Sequence, residues 1–319
     1  MRLILISVAL SLFLIPFHGS GAHREIQTDR PIIGVMAQAT KRMTFEVLGK
    51  NYIPASYVKF LESSGARVVP IFNDLTENET KEIFQLINGV VFPGGIVNLL
   101  TSGYANVSRR IFHLAKKRND EGGYFPIMGM CLGHQFLAAV VNNNTDNRIL
   151  TDSYNMTAPL NLPKNFRNSK LFRDIPKDRV KSFNESLITP HFHNLSLPLR
   201  LFEESKELKD FYNVITTNLD RHGVEFVSTM EAKNYPFYSM QWHPEKCSFE
   251  WVSMKAIPHF LSSIQLSQYI SNFFVQEARL NRNRFPSDTE ERAALIYNYN
   301  PVYIGRNGNT TFSQIYLFN

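Results

Sequence analysis

One cysteine of the chain stands in a setting that favours nucleophilic chemistry. Cys131 is flanked by Gly129 and Gly133 in a G-x-C-x-G pattern, between a strand-like run and a helical segment. Glycines on both sides permit the cramped strand-to-helix turn that raises a nucleophile above the edge of a sheet. The helix N-terminus favours the reactive thiolate, because free N–H groups and the positive end of the helix dipole lie there. The N–H of Leu132 is placed to bind a developing oxyanion.

Three more residue types in the sequence complement this thiol. Gly94 and Gly95 follow another strand-like run, and either could supply a second oxyanion donor, because backbone without a Cβ lets a substrate approach closely. His243 ends a further apparently buried strand and is the candidate base. Glu245 is placed to hold one imidazole nitrogen so that the other faces the thiol. The candidate catalytic residues therefore occur in the order Cys, His, Glu.

Each of these candidates also has a structural alternative. Cys131 could be an inert buried residue, or it could form a disulfide with Cys247, the other cysteine of the chain. His243 could be a hydrogen-bonded histidine of the core, and Glu245 could be a surface charge.

Composition and charge exclude several function classes. The 319 residues are 44% hydrophobic and 19% charged, which excludes disordered, collagen-like and coiled-coil proteins, and two cysteines exclude a disulfide scaffold. The net charge of +6 is spread along the chain, with 116–118 as the longest basic run, so a nucleic-acid partner is not predicted. His191 and His193 have the spacing of two metal ligands, but no third ligand is evident and no metal is predicted.

Strands and helices must alternate to position these residues. Strand-like runs occur at 31–37, 66–72, 89–93, 125–130, 212–217, 224–228 and 235–242, and helical patterns at 52–64, 76–87, 104–118, 132–141 and 261–279. This alternation predicts an α/β fold with a doubly wound, mostly parallel sheet and helices on both faces. Ligands of such sheets bind beyond the carboxyl ends of the strands, where Gly94, Gly95 and Cys131 fall. The stretch from 142 to 208 is predicted to hold loops and short elements.

The start of the chain predicts entry into the secretory pathway. Arg2 precedes an apolar run at 3–17 and small residues at 19–22, which is the pattern of a signal peptide. The alternative is an uncleaved membrane anchor, although the apolar run is shorter than the ~20 residues of a membrane-spanning helix. We therefore predict a signal peptide at 1–22, a single catalytic domain at 23–319, and no membrane association after cleavage. Glycosylation sequons occur at Asn78, Asn106, Asn143, Asn155, Asn184, Asn194 and Asn309.

Taken together, the motifs around Cys131, Gly94-Gly95 and His243 resemble those of the class I glutamine amidotransferase-like superfamily. Within it, the chain resembles the gamma-glutamyl hydrolase (folylpolyglutamate hydrolase) family over nearly its whole mature length. The likeness is carried by residues 31–34, 55–70, 92–95, 241–246 and 294–297 and by the tail around Tyr316.

The resemblance implies a class I glutamine amidotransferase-like fold and a cysteine hydrolase of gamma-glutamyl bonds in folyl or antifolate poly-gamma-glutamates. The family's nucleophile falls on Cys131, its catalytic histidine on His243, and a histidine of its active-site cleft on His193. The resemblance also implies a lysosomal or secreted enzyme that needs no metal or cofactor, in a family whose members can form homodimers. The chain departs from the family at His134 and Gln135, where an aromatic residue and a glutamate are usual.

Two other functions stay open at this point. The His134-Gln135 pair is closer to glutamine amidotransferases, which suits a glutaminase that passes ammonia to a synthase. A non-catalytic secreted binding protein with Cys131 tied to Cys247 is the second alternative.

Overall fold

The structure, a computed structural model, describes residues 25–41, 43, 46–253, 255–307 and 310–319. The predicted signal peptide at 1–22 and the sequon at Asn309 lie outside this part of the chain. Within it, no helix is both long enough and apolar enough to cross a lipid bilayer.

Strands and helices alternate through the first half of the described chain. The strands are β1 (Ile32–Met36), β2 (Gln38–Ala39), β3 (Asn51–Pro54), β4 (Arg67–Ile71), β5 (Gly89–Phe92), β6 (Ile127–Met130), β7 (Ile149–Ala158), β8 (Thr189–Ser196), β9 (Tyr212–Leu219), β10 (Glu225–Ala232), β11 (Phe237–Met240), β12 (Val302–Tyr303) and β13 (Gln314–Phe318). The helices are α1 (Ala55–Glu62), α2 (Glu77–Leu86), α3 (Gly103–Asp120), α4 (Leu132–Val141), α5 (Lys177–Glu185), α6 (Leu199–Glu204), α7 (Lys206–Phe211), α8 (Lys246–Phe249), α9 (Leu261–Arg279) and α10 (Asp288–Ala294).

The central sheet has seven strands in the order β4-β1-β5-β6-β11-β10-β9. The strands from β4 to β11 pair in parallel, and β10 and β9 extend the sheet in antiparallel fashion. The predicted α/β fold with a mostly parallel sheet is therefore confirmed. Pro70 lies in β4, which is an edge strand, as expected for a residue that cannot donate to the ladder.

Helices cover both faces of this sheet, as predicted. Side chains alternate along β1: Ile33 and Val35 belong to one hydrophobic cluster, and Ile32 and Met36 to the other. Helices α1 and α9 pack into the first cluster, and α2, α3 and α4 into the second. The carboxyl ends of β5, β6 and β11 are thus held side by side at one edge of a buried sheet.

Two parts of the fold differ from the sequence prediction. The prediction of loops and short elements at 142–208 is wrong for β7 and β8, which pair as a separate two-stranded antiparallel sheet. Their pattern is hidden because most side chains of β7 are exposed or half-buried. The helix predicted from 52 begins at Ala55, because Pro54 disfavours the helical conformation at Ile53, and β3 joins a four-stranded sheet β12-β13-β3-β2.

Candidate active site

Cys131 occupies a strained turn between β6 and α4. Its φ of 51° lies in the left-handed region, which costs about 1–3 kcal/mol for a residue with a Cβ. Both flanking glycines are required: a Cβ at Gly129 would lie 2.6 Å from the carbonyl oxygen of Gly133, and one at Gly133 would lie 1.9 Å from that of Phe92. The Cys131 N–H donates to the Met240 carbonyl at 2.9 Å, which ties the turn to β11.

His243 and Glu245 form a buried pair beside this turn. Nδ1 of His243 lies 2.8 Å from Oε1 of Glu245 and 3.4 Å from the Tyr57 hydroxyl. Nε2 of His243 has no hydrogen-bond partner among the described residues, so it is the nitrogen left for a reacting group. A Cβ at Gly94 would lie 2.7 Å from His243 Cε1 and 3.0 Å from Cys131 Cβ, so the two side chains meet around this glycine.

The charges around His243 favour its protonated form. Burial lowers the pKa of His243, but the charges of Glu245 and Cys131 outweigh burial and raise it to about 9. Burial also disfavours the charged form of Glu245 and so raises its pKa, but the positive charge of His243 outweighs burial and lowers the pKa overall. An imidazolium held between a carboxylate and a cysteine is the arrangement that supports a thiolate nucleophile.

Two side chains fix the backbone of Gly94: Tyr57 contacts the peptide before it, and Gln38 contacts the Gly94–Gly95 peptide after it. The Gly94 N–H donates to the Tyr57 hydroxyl at 2.8 Å, and the Gly94 carbonyl accepts from the side-chain amide of Gln38. In a trans peptide the carbonyl and the following N–H point in opposite directions, so the Gly95 N–H is turned away from Gln38. Gly94, predicted as one of two alternative oxyanion donors, already uses its N–H, which leaves Gly95 as the candidate.

Two adjoining cavities meet at Cys131. The wall of the first, of about 270 Å³, includes His243 and Lys246. The wall of the second, of about 210 Å³, includes Gln135, Arg148 and His193. Both cavities are lined by Gly95, Ile96, Cys131, Tyr154 and Phe192. An extended ligand could therefore cross the nucleophile with one part in each cavity; we call them the His243 cavity and the Gln135 cavity.

His193 lies in the wall of the Gln135 cavity, but both of its ring nitrogens already have partners. Nε2 is 3.0 Å from Nδ1 of His191, and Nδ1 is 2.9 Å from the Ser196 hydroxyl. Burial, together with the neighbouring His191, lowers the pKa of His193 well below its usual range. His191 and His193 thus bond to each other, and no cluster suited to a metal ion is found in the part of the chain described.

The two residues that depart from the family pattern have different positions. His134 is fully buried, its Nδ1 lies 2.9 Å from the Ser239 hydroxyl, and burial lowers its pKa to about 3. Gln135 faces the cavity and donates to the Leu195 carbonyl at 2.6 Å, while its Oε1 accepts from Arg148 at 2.7 Å. Only the second residue of the pair is therefore in a position to affect a ligand.

The structure contradicts the disulfide alternative. Cys131 and Cys247 are both free and buried. The Cys247 thiol points toward the Ile188 carbonyl, with Sγ and O 3.8 Å apart, and burial raises its pKa. Cys247 is thus an inert packing residue.

Four residues of this site are not marked by any motif in the sequence considered above: Tyr57, Gln38, Lys246 and Arg148. Tyr57 reads as one more apolar position of a helix, and Gln38 as a polar residue after a strand. Their importance depends on contacts with Gly94 and His243 that are far away in sequence. Lys246 offered a usable signal, because it directly follows the candidate His243-x-Glu245 pair.

Comparisons with known proteins find one family model and several relatives that match most of the chain. The model of the family described as peptidase C26 matches residues 31–245. A gamma-glutamyl hydrolase of Bos taurus is 43% identical over 289 residues, 91% of this chain and 90% of the relative. The Homo sapiens gamma-glutamyl hydrolase is 40% identical over 315 residues, 99% of this chain and 96% of the relative. Gamma-glutamyl hydrolase B of Dictyostelium discoideum is 37% identical over 91% of this chain and 83% of the relative.

Among solved structures, the glutaminase domain of a Trypanosoma brucei CTPS with bound acivicin is similar to 80% of this chain and 98% of that domain, at 14% identity and a TM-score of 0.49.

Proposed function

The chain belongs to the peptidase C26 family, and from this premise we propose that it hydrolyses gamma-glutamyl amide bonds with Cys131 as the nucleophile. One observation gives the strongest support: Cys131, on its strained turn, lines the same cavity as His243, and Nδ1 of His243 is hydrogen-bonded to Glu245. The same cavity is lined by Gly95, the remaining glycine candidate for the oxyanion.

In the first half of the reaction, the Cys131 thiolate attacks the gamma-carbonyl carbon. The C–S bond forms, and the carbonyl electrons move onto oxygen, which the N–H groups of Leu132 and Gly95 stabilise. The C–N bond then breaks, and the nitrogen leaves as an amine with the proton of the His243 imidazolium. The product at this stage is a gamma-glutamyl thioester on Cys131.

In the second half, water replaces the amine. His243, now neutral, takes a proton from the water as its oxygen attacks the thioester carbonyl, and the C–S bond breaks to restore the thiolate. The released acyl group is a gamma-carboxylic acid, which loses its remaining proton to water and leaves as the gamma-carboxylate. Glu245 keeps Nδ1 of His243 hydrogen-bonded throughout, so Nε2 is the nitrogen that moves protons.

The proposed substrates are folyl or antifolate poly-gamma-glutamates. A chain of gamma-linked glutamates carries one free carboxylate per residue, and the net charge of +6 suits such a polyanion. The two cavities on either side of Cys131 give an extended chain room on both sides of the scissile bond.

We also propose a secreted or lysosomal enzyme, made with a signal peptide at 1–22, folded as a single domain over 23–319 and able to form a homodimer. The signal-peptide pattern and the seven sequons support the secretory route. Four sequon asparagines are exposed, as glycosylation requires: Asn78, Asn106, Asn143 and Asn194.

Product analysis tests the proposed activity. The mature chain is incubated with a folyl poly-gamma-glutamate and, separately, with free glutamine, at acidic and at neutral pH. We expect shortened folyl chains and released glutamate species from the first substrate and little ammonia from the second. Ammonia from glutamine with intact folyl chains would instead favour the glutaminase alternative, and no turnover of either would favour a binding protein.

A further inference from the structure

Lys246 places a buried positive charge in the wall of the His243 cavity. The residue is 1% exposed, and its Nζ lies 4.4 Å from the ring centroid of Phe312 and 5.4 Å from that of Phe192. Its hydrogen bond among the described residues goes to the backbone carbonyl of Thr311, at 3.3 Å. An ammonium has three N–H donors, so this cation retains donors for a ligand in the cavity.

The backbone places Lys246 on the same turn as His243. The Lys246 N–H donates to the His243 carbonyl at 3.3 Å, and both side chains line the same cavity. The proposed acid and the buried cation therefore face one compartment. The Gln135 cavity on the other side of Cys131 contains neither of them.

The chemistry of the leaving group fits this pairing. When a gamma-glutamyl-glutamate bond is cleaved, the nitrogen that receives the proton is bonded to the α-carbon of the leaving glutamate. That same carbon carries the α-carboxylate, two bonds from the nitrogen. Because His243 must reach the nitrogen, the carboxylate must lie in the His243 cavity. Among the described residues that line this cavity, Lys246 is the one with a positively charged lysine or arginine side chain.

A role as counter-ion for the neighbouring carboxylates does not by itself explain why Lys246 lines the His243 cavity. Glu245 is hydrogen-bonded to His243, and the positive charge of His243 lowers the pKa of Glu245 more than the charge of Lys246 does. Glu250 accepts from the Ser313 N–H at 2.5 Å, and burial raises its pKa although Lys246 acts against the rise. A counter-ion for these two groups would not need to line the cavity that holds the nucleophile.

We propose that Lys246 determines leaving-group specificity by binding the α-carboxylate of the amino acid that is released. This assignment rests on the proposed function and adds to it: the enzyme prefers amines that carry a carboxylate on the carbon next to the nitrogen. The Phe192 and Phe312 rings hold the ammonium in place and keep it poorly hydrated, which strengthens its attraction for an anion.

Two substrates that differ in a single group test this assignment. One is gamma-glutamyl-glutamate, and the other has the leaving residue's α-carboxylate replaced by a carboxamide, so that isoglutamine is released. The measured quantity is the ratio of kcat/KM for the two. We expect the natural chain to favour the carboxylate on the order of 10- to 100-fold, and Lys246→Met to bring the ratio close to one.

Arg148→Met is the matched control, because Arg148 is the arginine of the Gln135 cavity. Its guanidinium already donates to both oxygens of Asp146 and to Gln135. Whatever this variant does to the rate, we expect the ratio between the two substrates to stay as in the natural chain. Lys246→Arg, which keeps the charge, should keep most of the preference.

Loss of both activities in equal proportion in Lys246→Met would overturn the assignment and leave Lys246 a structural residue. If that variant does not fold, the natural chain alone decides: free glutamate should inhibit more strongly than isoglutamine, and equal inhibition would also overturn it. A natural chain that cleaves both substrates equally well rules out the Lys246 assignment but keeps the proposed function. Failure to cleave either substrate rejects the proposed function itself.

Discussion

Replacing Glu245 by glutamine should change the pH range in which the enzyme works. The rise of the His243 pKa from 6.5 to about 9 corresponds to about 3 kcal/mol in favour of the imidazolium. Glutamine removes the carboxylate charge but can still accept a hydrogen bond at Nδ1, while burial continues to disfavour the charged ring. The pKa of His243 should therefore fall by about one unit or more, because a close opposite charge shifts a pKa by ~1–3 units.

The assay is kcat/KM for a gamma-glutamyl substrate, measured from acidic to strongly alkaline pH. Above its pKa, His243 has no proton to give the leaving amine, so the alkaline limb of the natural chain should reflect this group. In Glu245→Gln that limb should move to lower pH. Glu277→Gln is the control, since Glu277 accepts from the Tyr238 hydroxyl away from the site. An alkaline limb that stays in place in Glu245→Gln would refute the proposed coupling between the two residues.

Three further outcomes follow from the same geometry. Cys131→Ala should abolish turnover without loss of folding, whereas Cys247→Ala should stay active; residual hydrolysis in the first variant, measured by glutamate release, would contradict the assignment. Gln38→Leu frees the Gly94–Gly95 peptide and should lower kcat on the order of 10- to 1,000-fold with a smaller change in KM. An unchanged kcat would show that Gln38 does not position the oxyanion donor. Titration of the unfolded chain without reductant should find two free thiols, and a value near zero would restore the disulfide.

The parallel core of the fold could be predicted because its signals are local. Helix α9 was predicted at 261–279 and has these bounds in the structure. The helix predicted at 76–87 is α2, and a capping box formed by Thr76 and Glu79 begins it in the structure. Strands β7 and β8 could not be predicted, because neither strand shows a clean alternation of buried apolar and exposed polar residues, and the two pair across a long connection that contains α5.

The candidate site divides in the same way. The candidates Cys131, His243 and Glu245 could be named from sequence, because glycine spacing and strand ends mark them locally. Tyr57 could not, since its contact with His243 spans 186 positions, and Gln38 reaches Gly94 across 56. Such contacts depend on which strands are neighbours in the sheet, and the sequence alone did not reveal that order.

The left-handed backbone conformation at Cys131 favours catalysis at a cost in thermal stability. The conformation that lifts the sulfur above the sheet lowers the free energy of unfolding, and glycine is the residue that would adopt it with least strain. A library of variants selected only for survival of heating is therefore expected to accumulate glycine at this position. The variants recovered would be thermostable but would lack the nucleophilic sulfur. A selection for thermal stability therefore needs a parallel screen for turnover.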